Sequence, residues 1–574
     1  MRRRIGMGIA AILTTLLAVA TQGTVSTVSK VSADSLTPQP FSPAVLIGRM
    51  TGEAGTTNTA ETWKIAGTDL GIMWDDGAGK ILTAFGDTFG TLYGPGGGGD
   101  EWRSNVLLRS SDHHLDDGMG FDSAVVDDTG MAKELIPSRK ISGDEMTTIP
   151  TAGISVGTRQ YMAFMSVRSW GAAGMWDTNY NRIAYSDDDG ETWNSVDGPS
   201  WQNNAAGVDP FQMVAFEKHD GYVYMFGTPN GRQGAVHLAR VIESQILEKA
   251  AWTYWNGSEW KSGDDTSAAE IIPAMNSELS VQYNTYTGKW LLSTLDGKDP
   301  GTMLLRTADS PTGPWTTGQV IATAADFPGL YGSYLHPWSD GPNLYISMSQ
   351  WNPYNTFLIR VQLDKQGNII NPNLIKDSSF ERHSTMTTPW RCTGSCGIDT
   401  NYAWANSGDR QAWMRASSGT LDIHQLVTLK PHTNYVLSGF VRTGGSVAPG
   451  AIGVRQSGPN PQTIATQSFT KLDRYTRFVI PFNSGSDSDV EAFVTTSPTS
   501  DRWVQVDDLS LMRTSTLANE TSSENVEEEK RTATEQLAES GSHMNVAVQI
   551  GIGVCFALGT VFLFRRHRRH RGLQ

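Results

Sequence analysis

The stretch "SDDDGETW", residues 186–193, decides the fold. It matches the Asp-box pattern Ser-x-Asp-x-Gly-x-Thr-Trp, and its residue types describe a turn. Asp188 can accept hydrogen bonds from turn amides, Gly190 can take a positive φ, and Trp193 can fold back onto the hairpin that it closes. A degenerate relative, "ADSPTGPW", stands at 308–315. Such turns sit at the outer rim of β-propeller blades, so the motif speaks of architecture and not of chemistry.

The sequence around the motif agrees. From about residue 44 to 365 no long amphipathic helical period occurs. Short apolar and aromatic runs alternate with Gly, Asp, Asn and Pro, the pattern of many short strands. The runs fall into five groups, opening at "LGIMW", "AGISV", "QMVAFEKHDGYVYMFGT", "LSVQYNTYTGKWLLSTL" and "GSYLHPW". Groups of this size predict a five-bladed β-propeller over residues 44–371. The early run "AVLIGRM" can close the ring on the last group.

The pattern changes near residue 372. "NLIKDSSFERHSTMTTPW" opens a second unit and "DRWVQVDDLSLM" closes it, with alternating runs such as "HTNYVLSGFVRT" between them. This predicts a β-sandwich over 372–513, and the opening and closing segments resemble jelly-roll carbohydrate-binding modules of the family 4/9 type. In such modules an acid on the first strand and one on the last often hold a structural Ca²⁺. The resemblance puts Glu381 and Asp507 in those positions. Within "CTGSC", Cys392 and Cys396 can close a small disulfide loop, which an exported location permits.

Both ends carry targeting patterns. Arg2, Arg3 and Arg4 precede an apolar run and small-residue cleavage sites, so residues 1–33 read as a signal peptide. "NVAVQIGIGVCFALGTVFLF", residues 545–564, is uncharged and long enough to span a membrane as a helix. The basic tail 565–574 places the C-terminus in the cytoplasm. Residues 514–544 form an acidic linker by composition. Within it "LAESG", Leu537–Gly541, resembles a class E sortase signal, with Ser540 where Thr is usual. The expected location is therefore the cell surface, by membrane anchor or by sortase attachment to the wall. The fold class is all-β, a propeller followed by a sandwich, with a C-terminal transmembrane helix.

The whole chain has 45 basic and 59 acidic residues, a formal charge of −14. Removing the basic residues of both ends leaves the exported part more acidic still. Such a surface repels phosphate polymers and argues against a nucleic-acid partner. A neutral polysaccharide is compatible with it.

Two carboxylates draw attention in the first group. "GTDLGIMW" places Asp69 before one apolar run, and "KILTAFGDTFG" places Asp87 after the next. Innermost propeller strands end at one mouth of a central channel, where two acids could straddle a glycosidic oxygen. One would be protonated to assist departure and one ionised to attack or to activate water. From spacing alone, Asp beside Gly or Thr reads equally as a turn former.

The surrounding segments bear on that choice. "GTDLGIMWDDGAGKILTAFGDTF", "EWRSNVLLRSSD", "TTIPTAGISVGTRQYMAFMSV", "FGTPNGRQGAVHLARV", "NSELSVQYN", "YGSYLHPW" and "SMSQWNPYNTFLIRV" follow in order. Together they resemble an actinobacterial domain of unknown function that is now glycoside hydrolase family 183. The resemblance implies a hydrolase, an endo-D-arabinanase acting on D-arabinan of mycobacterial-type cell walls, with Asp69 and Asp87 as its acidic pair. Asp69, on the innermost strand, is expected to be the base or nucleophile and Asp87 the acid. No cofactor is implied for catalysis.

Other residues are candidates for substrate contact. Glu278 reads as a third acid or a salt-bridged strand end. Arg232 reads as a fork onto sugar hydroxyls or as a salt bridge between blades. His336 reads as a hydroxyl contact or a core histidine. Trp102, Trp170, Trp176 and Trp351 are possible stacking platforms, and Asn352 and Tyr354 share a loop near the mouth. Two alternatives compete: a surface lectin or adhesin that only binds glycan, and a sialidase. The sialidase reading lacks an arginine cluster and an Arg-Ile-Pro signature.

Overall fold

The computed structural model describes residues 41–370, 373–444 and 447–514. The signal peptide, the acidic linker, the sortase-like motif, the apolar span at 545–564 and the basic tail lie outside the described residues. Among the described residues no helix is long and apolar enough to cross a membrane. Their structure is all-β, with one short α-helix at Thr59–Trp63 and a few 3₁₀ turns.

Five antiparallel groups follow one another along the chain. The first runs Leu70–Asp75, Ile81–Phe85, Val106–Ser110 and Ser123–Ala124. The second runs Thr147–Val156, Arg159–Trp170, Trp176–Ser186 and Ser200–Gln202. The third is Met213–His219, Tyr222–Thr228 and Gly234–Ile242, and the fourth Glu270–Asn284, Lys289–Asp296, Thr302–Ala308 and Gln319–Thr323. The fifth is Leu330–Leu335, Asn343–Gln350 and Asn355–Leu363, completed by Val45–Arg49 from the start of the domain. The leading strands pack on one another in a closed circle, first on second, second on third, third on fourth, fourth on fifth and fifth on first.

The third and fourth groups are fused. Glu270–Asn284 is long enough to serve both. Its first half pairs with Gly234–Ile242, with Val236 opposite Ile272, and its second half leads the fourth group, with Val281 opposite Leu292. The result is one nine-stranded sheet rather than two separate ones.

The Asp box folds as its residues dictate. Asp188 accepts from the Thr192 amide (2.9 Å) and hydroxyl (2.6 Å). Gly190 has φ +84°, and the Trp193 indole donates to its carbonyl at 2.9 Å. Trp193 then meets Trp74 edge-on at 6.4 Å, tying the second group to the first.

Beyond Asn373 two five-stranded antiparallel sheets share one apolar core. One is ordered Trp390–Thr393, Leu421–Thr428, Asp489–Thr496, Val447–Gln456, Thr463–Lys471. The other is ordered Cys396–Asp399, Gln411–Ala416, Arg502–Arg513, Asn434–Arg442, Thr476–Asn483. Cys392 and Cys396 are disulfide-bonded. This unit is fastened to the ring. Phe440 and Met512 join the apolar cluster of the first and fifth groups. Arg382 forks onto Asp326 at 2.6 and 2.7 Å, with both side chains largely buried.

Candidate active site

Leu70 pairs with Phe85, so the start of one innermost strand and the end of its neighbour meet at the same edge of the ring. Asp69 precedes the first and Asp87 follows the second. The Gly86 amide donates to the Asp69 carbonyl at 3.2 Å, which closes the corner between them. Both aspartates line a cavity of about 810 Å³ together with Trp170, Trp176, Arg232, Glu278, Tyr331, Tyr334, Trp351 and Tyr354.

The two carboxyls have different surroundings. Asp69 Oδ2 accepts from the Tyr331 hydroxyl at 3.0 Å, while its buried Oδ1 has no hydrogen-bond partner. Burial pushes its carboxyl up to about 7, and the Asp87 charge adds to that rise. Asp87 Oδ1 accepts from the Trp102 indole at 2.7 Å and the Thr147 hydroxyl at 2.6 Å. Burial raises it as well, but those two donors and the Lys140 ammonium hold it lower, at about 6. Burial keeps the Tyr331 phenol protonated, with its pKa well above the usual value, so it remains a donor to Asp69.

The remaining candidates separate by position. Trp351 and Trp170 are 56% and 48% exposed on the cavity wall. Trp176 is buried and meets Trp170 edge-on at 6.0 Å. Arg232 and Glu278 line the cavity but are paired with each other, with Nε–Oε1 at 3.0 Å. The pair bridges the third and fourth groups. Trp102 is not among the cavity-lining residues; it acts behind Asp87, with Lys140 stacked 3.9 Å over its ring. Asn352 likewise stands behind the wall, donating to Asp409 at 2.8 Å. His336 is fully buried at the other end of its strand, beside Trp338, which donates to Asp75 at 2.6 Å. Burial pulls its imidazole down to about 3, so it is a neutral core histidine.

A family model described as a domain of unknown function, DUF4185, matches residues 54–360. The chain belongs to the DUF4185 family. Notoamide biosynthesis cluster protein J of an Aspergillus species is 32% identical over 321 residues, covering 53% of this chain and 84% of that one. An uncharacterized 35.9 kDa protein of Mycolicibacterium smegmatis is 24% identical over 331 residues, covering 53% of this chain and 92% of its own length. Among solved structures, an exo-β-1,3-galactanase of Phanerochaete chrysosporium aligns over 82% of this chain and all of its own, at 13% identity and a TM-score of 0.39.

The matched DUF4185 region holds the whole cavity wall. Its sequence reading passed over Tyr331, Tyr334, Thr147 and Lys140. Tyr331 sits in "YGSYLHPW", the same segment that yielded His336. Tyr331 and Tyr334 of that segment line the cavity, whereas His336, just past the strand's end, does not.

Outside the DUF4185 region, Glu381 and Asp507 meet under the loop 406–410. Glu381 Oε1 accepts from the Asp409 and Arg410 amides at 2.8 and 2.9 Å, and its buried Oε2 has no hydrogen-bond partner. Asp507 accepts from the Asn406 amide at 2.8 Å and the Asp508 amide at 2.9 Å. Burial pushes Glu381 up to about 8 and Asp507 well above the carboxylate range. Two buried carboxylates with an orphaned oxygen suit a hard cation such as Ca²⁺ in donor type. Among the described residues no cluster of three or more His, Cys, Asp or Glu is close enough to hold a metal. The other ligands would therefore be backbone or neutral oxygens.

Proposed function

We propose that this protein is a cell-surface glycoside hydrolase, an endo-D-arabinanase that cleaves arabinofuranosidic bonds within D-arabinan. The observation that carries the reading is the unequal pair Asp69 and Asp87 at one edge of a large, aromatic-walled cavity. We read the closed circle of strand groups as a five-bladed propeller with the cavity at one mouth, and the second unit as a jelly-roll carbohydrate-binding module. The resemblance of the ordered segments to family 183 supplies the substrate class.

The electrostatics favour the reverse of the assignment expected from strand position. Asp69, the more strongly raised carboxyl, keeps its proton near neutral pH and passes it to the leaving-group oxygen as the C–O bond breaks. Asp87 is ionised by its two donors and Lys140, and acts on the anomeric carbon directly or through a water. Tyr331 holds Asp69 in place. Trp351 and Trp170 offer faces to the sugar rings on either side of the cleavage point. A furanose polymer is neutral, so hydroxyl contacts and stacking would fix it rather than charge. If Ca²⁺ is bound, Glu381 and Asp507 would hold it, and it would brace the loop 406–410 of the module. The signal peptide, span and basic tail would place residues 34–543 outside the cell.

Product analysis of residues 34–513 on mycobacterial-type arabinogalactan tests the reading. A ladder of arabinose oligosaccharides is expected. Binding without new reducing ends would favour the lectin alternative.

A further inference from the structure

The loop that carries Trp351 and Tyr354 is not held by the ring alone. From inside, the Trp351 amide donates to Gly329 at 2.8 Å and the Tyr354 amide to Gln350 at 3.1 Å. From outside, two bonds come from the second unit. The Asn352 amide group donates to Asp409 Oδ1 at 2.8 Å, and the Gly408 amide donates to Gln350 Oε1 at 3.3 Å. Asn352 and Gln350 flank Trp351, and Tyr354 is buried with φ +60°, a conformation that a tyrosine keeps only when its surroundings impose it.

The loop that makes these contacts is itself tightly built. Asn406 and Ser407 donate to Asp508 at 2.8 Å each, and the Asp409 and Arg410 amides converge on Glu381. Gly408 has φ +62°, and a Cβ there would stand 2.3 Å from Glu381 Oε1 and 3.1 Å from Pro328. A side chain there would have to displace the Glu381 carboxyl and press on Pro328. The Arg382–Asp326 fork anchors the unit three residues before Gly329, the backbone partner of Trp351.

We propose that Asp409 is a positioning residue for the active site: through Asn352 it fixes the loop 351–354, and with it Trp351 and Tyr354. The inference rests on the hydrolase reading above and extends it. The second unit then contributes to turnover of any substrate, including one too short to reach that unit's own surface. A binding module tethered to a self-sufficient ring would not do this.

The test uses the full chain with Asp409→Ala, Asp409→Asn and Asn352→Leu. Asn at 409 keeps an oxygen that can accept from Asn352, whereas Ala and Leu remove the bond from either side. Hydrogen exchange should quicken at residues 350–355 in Asp409→Ala and Asn352→Leu, and stay near wild type in Asp409→Asn. On a soluble arabinose tetrasaccharide, the first two variants should lose about 10-fold to 100-fold in kcat, the scale of a small misplacement of catalytic groups, and Asp409→Asn should retain most of it. Unchanged exchange in both disrupted variants would overturn the clasp. Quickened exchange with unchanged kcat would overturn its positioning role. A wild-type chain inactive on arabinan would count against the hydrolase reading instead, and the exchange arm would still decide whether the second unit holds the loop.

Discussion

Gly86 and Asp69 are in such close approach that a methyl group on Gly86 would stand 2.4 Å from Asp69 Oδ1. The glycine between "KILTAF" and Asp87 is therefore a requirement of the other aspartate. Gly86→Ala should displace the Asp69 carboxyl and cost about 1–3 kcal/mol of stability by overpacking. Activity should fall at least ~10-fold, read as kcat on a soluble arabinose oligosaccharide at a temperature where the variant is folded.

The pH dependence of hydrolysis should be bell-shaped. Activity needs Asp87 ionised, which requires pH above about 6, and Asp69 protonated, which requires pH below about 7. The two limbs of kcat/KM belong to the pair rather than to either residue. A rate profile across pH 4–9 should peak between the limbs, and a single-sided profile would remove one of the two roles.

Asp69 costs the fold stability at neutral pH. Its folded carboxyl titrates at about 7, above its ordinary value of 3.8, so the native state holds a proton that the unfolded chain releases. Stability therefore falls as pH rises from about 4 to about 7. Asp69→Asn has nothing to ionise there. It should melt higher than wild type at pH 7.5, by roughly 1–4 kcal/mol, with the difference vanishing near pH 4. Thermal unfolding at the two pH values checks this.

Trp351 is the most exposed aromatic on the cavity wall. Trp351→Ala should raise KM for long arabinan by about 10-fold, the equivalent of about 1.4 kcal/mol of lost stacking, with a smaller effect on kcat. Steady-state kinetics on long and short substrates separates the two.

Much of this was legible in the residues because it is local. An Asp box needs only its own eight residues, and short apolar runs between turn formers announce strands wherever they fall. "AVLIGRM" precedes the first group and so could be read as the strand that closes the ring on the last, where it pairs with Asn355–Leu363. The fusion of the third and fourth groups was not legible, since "EIIPAMN" contains Pro273 and reads as the end of a strand instead of the shared half of one. The roles of Trp102, Arg232 and Asn352 were hidden for another reason. Each is decided by a partner distant in sequence: Asp87, Glu278 and Asp409. A tryptophan in a motif cannot be told from a platform until its indole is seen donating to a carboxylate. His336 lies two residues beyond the cavity-lining Tyr334, but it is buried against Trp338 instead.

The most direct measurement of the central claim is the rate of D-arabinan hydrolysis by Asp69→Asn, Asp87→Asn and the double variant. Asp188→Asn serves as a folded control, because its carboxylate serves only the Asp-box turn. Asparagine preserves shape and removes both proton and charge. Each single variant should lose about 10²–10⁴ in kcat while folding normally, the double variant should lose far less than the product, and Asp188→Asn should keep its kcat. Near wild-type hydrolysis by either single variant would return that aspartate to the role of a turn former and contradict the account.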